Sequence, residues 1–293
     1  PGDQFPFTYT TLYDPISGRT DGLLESCSGS DTCPKIIQSD GEAEIWQARA
    51  SLLVTDPAGG HIELPDNVRV YLISGTRHGG GGGVHGATPR AGICQNLNNP
   101  LAMRDIRSAM SVALYGWVAD GTVPPPSRFP TVANGGLVSA PELGFPRTPG
   151  VTYSGSYNPL RLNDHGSFPP KQGTAYTVLV GRVDADGNMT DGVRHPNLTV
   201  PIGTHTGWNL RREGFAEGAQ CAGAGSFIPF EADLAARKAA GDPRLSLEER
   251  YSSHDAYVRA VARAANELVR DRLLLEADAE AIVRLAQQSS VRR

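Results

Sequence analysis

His78 follows the stretch Val68-Arg69-Val70-Tyr71-Leu72-Ile73 and a Ser-Gly-Thr-Arg turn, and it opens a run of five glycines, Gly79 to Gly83. Three carboxylates, Asp40, Glu42 and Glu44, stand upstream behind a second short apolar stretch. A neutral imidazole at a strand end acts as a general base when a carboxylate holds its Nδ1–H, because that bond fixes the tautomer and stabilises the imidazolium formed in proton transfer. Any of the three acids could take this part. Each could equally be a solvated carboxylate favoured by the positive end of a helix.

Such a base needs a nucleophile, and no Gly-x-Ser-x-Gly elbow occurs in the 293 residues. Where a Ser/acid/His triad runs in that chain order, the serine is expected before residue 1, and the chain is expected to lie inside a longer polypeptide. The glycines have two readings, a loop that lets backbone approach a ligand or a flexible surface excursion. They are not a phosphate-binding Walker loop, since no Gly-Lys-Ser/Thr follows. His85, His205 and Trp208 are candidates to line a substrate pocket, His85 and Trp208 foremost. The Asp184-Ala-Asp-Gly-Asn188 segment lacks the further ligands and terminal Glu of a calcium loop and reads as a turn.

These residues need elements to position them. Pro34 to Ser39 reads as a short strand, Glu42 to Val54 as a helix, and residues 67 to 74 as a Val-rich strand of the kind buried in a parallel sheet. Ile106, Met110, Ala113, Leu114 and Trp117 recur at helical spacing from Met103 to Ala119. This strand–helix–strand–helix order is an α/β crossover pattern. Residues 121 to about 171 are dense in Pro and Gly and predict an extended wrap over the surface. Tyr176–Val183 and Val193–Pro201 predict a β-hairpin about the Asp-Gly turn. The last 60 or so residues predict packing helices: Ser246-Leu-Glu-Glu249 has the form of a capping box, Tyr257, Val258, Val261, Ala265 and Leu268 make an apolar stripe, and a final helix carries Ala281, Ile282 and Leu285.

Net charge is −4 with acidic and basic residues interspersed, which leaves no electrostatic footprint for nucleic acid. No window is apolar for the roughly 20 residues a membrane span needs. No signal-peptide pattern is present, so the compartment stays open and export is compatible. Four cysteines, Cys27, Cys33, Cys94 and Cys221, could form two bridges, with Cys27–Cys33 closing a short loop or staying as free thiols. Their spacing does not suit zinc, and no cofactor or metal is called for.

Several motifs together resemble a known family. Asp14-Pro-Ile-Ser-Gly-Arg-Thr-Asp-Gly-Leu-Leu24, Cys33-Pro-Lys-Ile36, Glu44-Ile-Trp46, Leu64-Pro-Asp-Asn-Val-Arg-Val-Tyr71, Gly75-Thr-Arg-His-Gly79, Trp117-Val-Ala-Asp-Gly121, Val183-Asp-Ala-Asp-Gly-Asn188 and Thr206-Gly-Trp-Asn209 resemble the bacterial alpha/beta hydrolase domain proteins, and the likeness runs on through Ser246-Leu-Glu-Glu-Arg-Tyr251. The resemblance implies an α/β fold, the C-terminal part of an α/β-hydrolase with its last parallel strands and helices. Residues 1–121 would be the core half carrying acid and histidine. Residues 122–293 would be an extension of Pro-rich segment, hairpin and helices packed on it. It implies that His78 is the triad histidine and Glu44 its acid, with Asp40 the alternative. The expected activity is esterase-like hydrolysis of a small ester, the serine coming from the N-terminal half of the same polypeptide, so that this fragment alone is inactive. The competing expectation is a non-catalytic module that binds a ligand or partner.

Overall fold

A computed structural model describes residues 4–86 and 89–293. In chain order the elements are β1 (Leu12–Asp14), β2 (Arg19–Asp21), α1 (Glu25–Ser28), β3 (Ile36–Gly41), α2 (Glu42–Ala48), β4 (Val68–Ile73), β5 (Leu97–Asn98), α3 (Arg104–Asp120), β6 (Leu137–Val138), β7 (Arg161–Asp164), β8 (Lys171–Ala175), β9 (Val180–Gly181), α4 (Pro196–Thr199), β10 (Gly203–His205), β11 (Ser226–Pro229), α5 (Leu234–Ala240), α6 (Leu247–Arg250), α7 (His254–Arg270) and α8 (Glu276–Gln288).

The pair that matters for the site is β3 and β4, which run parallel in register from Ile36 opposite Val68 to Gly41 opposite Ile73. β4 is buried on both faces, as parallel strands are. Tyr71 and Ile73 face a cluster built by α3, α7 and α8, while Val68, Val70 and Leu72 face a second cluster with Ile45, Trp46 and Trp208. The two-residue alternation of a strand sends these sets to opposite sides. The first cluster joins residues on either side of position 121, so the C-terminal helices pack directly on the strand that leads to His78.

The two edges of this pair differ. Along the outer edge of β4, the Val70 N–H donates to Ser127 Oγ at 3.1 Å. Val70 C=O accepts from the Arg128 N–H, and the Leu72 N–H donates to Arg128 C=O. Leu72 C=O accepts from the Val193 N–H, and the Ser74 N–H donates to Val193 C=O. The Pro-rich segment therefore closes a sheet edge. Pro124 to Pro126 lack N–H donors and cannot lengthen the pairing. Along the other side of β3, among the described residues, no strand pairs at all, and β3 is half-buried over most of its length.

Three expectations are revised. The helix from Glu42 ends at Ala48, because Arg49 turns left-handed at φ 59°, and a 3₁₀ turn follows over Ala50–Leu53 that buries all four of its residues. The hairpin about Asp184 is reduced to a bridge between Val183 and Met189. Its expected second strand holds a helical turn instead, started by Pro196 in the first helical position, where the missing N–H costs nothing. In α8 the core face is Ala279, Ile282 and Ala286, while Leu285 is exposed. The capping box at Ser246 and Glu249 and the stripe on α7 form as expected.

Both disulfides, Cys27–Cys33 and Cys94–Cys221, are present. Asp184 and Asp186 hold no cation cage. Asp184 accepts from its own turn's backbone, and Asp186 pairs with Arg250.

Candidate active site

α2 starts abruptly at Gly41, whose backbone is extended, and its first turn presents Glu42 and Glu44. Residues two apart on a helix point about 200° away from each other, so neighbouring carboxylates in the sequence face different surroundings. A side chain at Gly41 would collide with Thr76 Oγ1 and with Glu44 Oε2.

Glu44 lies at the third helical position. Its Oε2 accepts from the Gly41 N–H at 2.9 Å, half of a capping box. That leaves Oε1 to accept from His78 Nδ1–H, at 2.5 Å. The carboxylate is 16% exposed and the imidazole 74%. With Nδ1 holding the proton, Nε2 keeps its lone pair, and among the described residues it has no partner.

Glu42 points the other way and is 2% exposed. Its Oε2 accepts from the Gly75 N–H at 2.8 Å, and its Oε1 from the Gly207 N–H at 2.9 Å and the Trp46 indole at 3.2 Å. Burial pushes its pKa up to about 7, against the pull of these three donors. It is a tie between α2, the turn below His78 and the 207 loop, and it does not touch the imidazole.

Asp40, near the end of β3, accepts from Gln38 Nε2 at 2.6 Å. Burial raises its pKa, with the nearby charge of Glu44 adding to the effect. No hydrogen bond joins it to His78 among the described residues.

The turn carrying His78 is pinned from several sides. Thr76 Oγ1 donates to Ile73 C=O at 2.6 Å, and Thr76 C=O accepts from the Ala43 N–H at 3.0 Å. Asn99 donates to Gly75 C=O and to Thr206 C=O. Of the glycine run, Gly80 and Gly81 are pressed against Met103 and Pro100 so closely that no side chain fits. The Gly81 and Gly83 N–H groups both donate back to that segment. Gly79 and Gly82 face open space. The run thus divides between close approach and free loop.

The remaining candidates lie elsewhere. His85 Nε2 meets Tyr257 Oη at 3.0 Å, which ties the glycine loop to α7. Trp208 is buried edge-on against Trp46 and Phe145. His205 is fully buried against Phe227, its Nδ1 facing Asn99 Oδ1 at 3.0 Å, and burial drives its pKa down to about 3. No hydrogen bond or ring contact links any of the three to Glu44 or His78 among the described residues. Thr76 and Asn99, which hold the turn, carry no signal in the sequence, since the bonds by which they tie it to α2 and to the 206 loop run to groups far away in the chain. Among the described residues no cluster of His, Cys, Asp and Glu could hold a metal ion, and no helix is long and apolar enough to cross a membrane.

The family model described as the alpha/beta hydrolase domain matches residues 8–284. The chain belongs to that family. In this alpha/beta hydrolase domain the parallel pair β3–β4, α2 and the His78 turn are the elements that carry the acid–histidine contact. No match is found among curated proteins or among solved structures.

Proposed function

We propose that this chain supplies the acid and base of a Ser/acid/His triad for carboxylic-ester hydrolysis. His78 is the general base, Glu44 holds its Nδ1–H, and Asp40 is the alternative acid. The serine comes from an N-terminal segment of the same polypeptide, and the unpaired edge of β3 offers a place for its strand. In this reading residues 1–121 are the C-terminal half of the hydrolase core, and 122–293 an extension that packs on it. The isolated fragment is inactive.

The observation that carries the proposal is the Glu44–His78 hydrogen bond at the ends of two adjacent parallel strands, with Nε2 on an exposed ring and without a partner among the described residues. In the first step Nε2 takes the proton of the attacking serine Oγ as the tetrahedral intermediate forms. It returns that proton to the departing alcohol, and water then releases the acid by the same route. Substrate contacts from His85 and Trp208 receive no support from their surroundings, because both side chains are engaged in packing.

The test is p-nitrophenyl ester hydrolysis by the full-length polypeptide, its His78→Ala variant and this fragment. Loss of histidine from such a unit costs on the order of 10⁴-fold or more in kcat. Full activity in the variant, or none in the full-length protein on short and long acyl chains, sinks the triad and leaves the binding-module reading.

A further inference from the structure

The turn that presents His78 also presents Arg77, and among the described residues the Arg77 guanidinium has no partner. Several partly or fully buried arginines elsewhere are matched with acids, Arg128 with Asp271, Arg244 with Asp242 and Arg250 with Asp186. Arg107, whose guanidinium like that of Arg77 makes no hydrogen bond among the described residues, still lies in the field of Asp40. Arg77 is half-buried, its Nε is sealed from solvent, and among the described residues nothing accepts from its guanidinium. Its stem is fixed, because the space behind it is closed by Gly225, where a side chain would press on the Cβ atoms of Arg77 and Asn99.

Arg77 lines a cavity of about 230 Å³ together with Arg90, Asn98 and the backbone of Gly81 to Gly83. Among the described residues no carboxylate lines it. Asn98 Oδ1 is likewise buried without a partner. With its oxygen sealed away, the amide leaves its NH₂ as the end that can meet an acceptor. A cation, a second cation at the rim and an amide left without partners are the complement of an oxyanion, which takes two parallel bonds from a guanidinium fork.

We propose that this cavity is an oxyanion subsite, which receives a carboxylate or phosphate group on a small ligand bound against the turn that carries Arg77 and His78. Joined to the hydrolase reading, on which this clause rests, it makes the substrate class an ester bearing a second, anionic group. Binding itself needs no turnover.

The test is titration of the chain with succinate, with inorganic phosphate and with neutral succinamide at constant ionic strength, followed by calorimetry and by the Arg77 Nε–H NMR signal. The expected result is saturable binding of at least one anion and none of succinamide. Affinity falls at least tenfold in Arg77→Ala and in Asn98→Asp, with part regained in Arg77→Lys, which keeps charge but loses the fork. Arg90→Ala, an exposed position that leaves folding untouched, weakens binding less. Succinate alone binding assigns the subsite to carboxylates, and phosphate alone to phosphoryl groups. No saturable binding of either anion, or equal affinity in the parent and Arg77→Ala, overturns the proposal. A silent ester assay leaves this result standing, and a failed titration leaves the triad standing.

Discussion

The turn that carries His78 has an inner and an outer side, and they are built on opposite terms. On the inner side Glu42 spends both oxygens on three N–H donors from separate segments, and Thr76 and Asn99 tie the backbone of the same turn to α2 and to the 206 loop. On the outer side Glu44 has one bond inward and one to an exposed imidazole, and the Arg77 guanidinium has none among the described residues. Groups that are buried and fully paired hold one geometry, because any departure strands a donor or acceptor out of water. Groups that are presented but incompletely paired can bind and react. The difference teaches that the inner carboxylate sets position, while the outer one is the carboxylate that the proposed triad would use, although two residues separate them.

The sharpest way to break this contrast is to remove each acid in turn and read activity and stability side by side in the full-length polypeptide. Glu44→Gln keeps size but takes away the charge that stabilises the imidazolium, and a drop in kcat on the order of 10²- to 10⁴-fold is expected. Stability should move by under about 1 kcal/mol, since the residue is a partly exposed cap. Asp40→Asn is expected to stay within roughly threefold of the parent rate, because one carboxylate orients one imidazole. If Asp40→Asn does the damage and Glu44→Gln does not, the acid is Asp40, and the contact between Glu44 and His78 is only a surface pair.

Next in size is Glu42→Ala. It leaves the Gly75 and Gly207 N–H groups and the Trp46 indole facing a small hole, and removing an acceptor from buried donors costs about 1–3 kcal/mol per group. A loss of about 3 kcal/mol in urea unfolding is expected, with the His78 turn loosened as a consequence. A loss under about 0.5 kcal/mol would show that the inner side is not the rigid member of the comparison.

How far the sequence could reach follows the same division. β4 was legible because Val-Arg-Val-Tyr-Leu-Ile is both β-branched and bounded by turns, and its parallel partner came with it. α3 and α7 were legible from their apolar spacing. The break at Arg49 was not, since Gln-Ala-Arg-Ala-Ser-Leu-Leu contains no helix stop, and the left-handed residue there serves the burial of Ala50, Leu52 and Leu53 in the tertiary structure. Nor could composition show that the Pro-rich segment lends Arg128 to the edge of β4, a pairing across more than 50 residues. At the site, the histidine and a set of three acids could be read. Which acid points where depends on the start of α2 at Gly41, a matter of one residue's backbone.

A change of pH, which alters no residue, also isolates the inner side. Glu42 has its pKa raised from 4.5 to about 7 by burial, so between those values the native state holds a proton that the unfolded chain has released. By linkage, stability then falls as pH rises across that window. The contribution is fully present below about pH 4.5 and is gone once pH passes the folded value near 7. Unfolding free energy measured in urea at pH 5 and pH 8 should therefore decline by about 1–3 kcal/mol from this group. Glu42→Gln, which cannot titrate, should lose that part of the slope, whereas Glu44→Gln should keep it. A slope that survives in Glu42→Gln would place the titrating group elsewhere, with Asp40, whose pKa burial also raises, the first to examine.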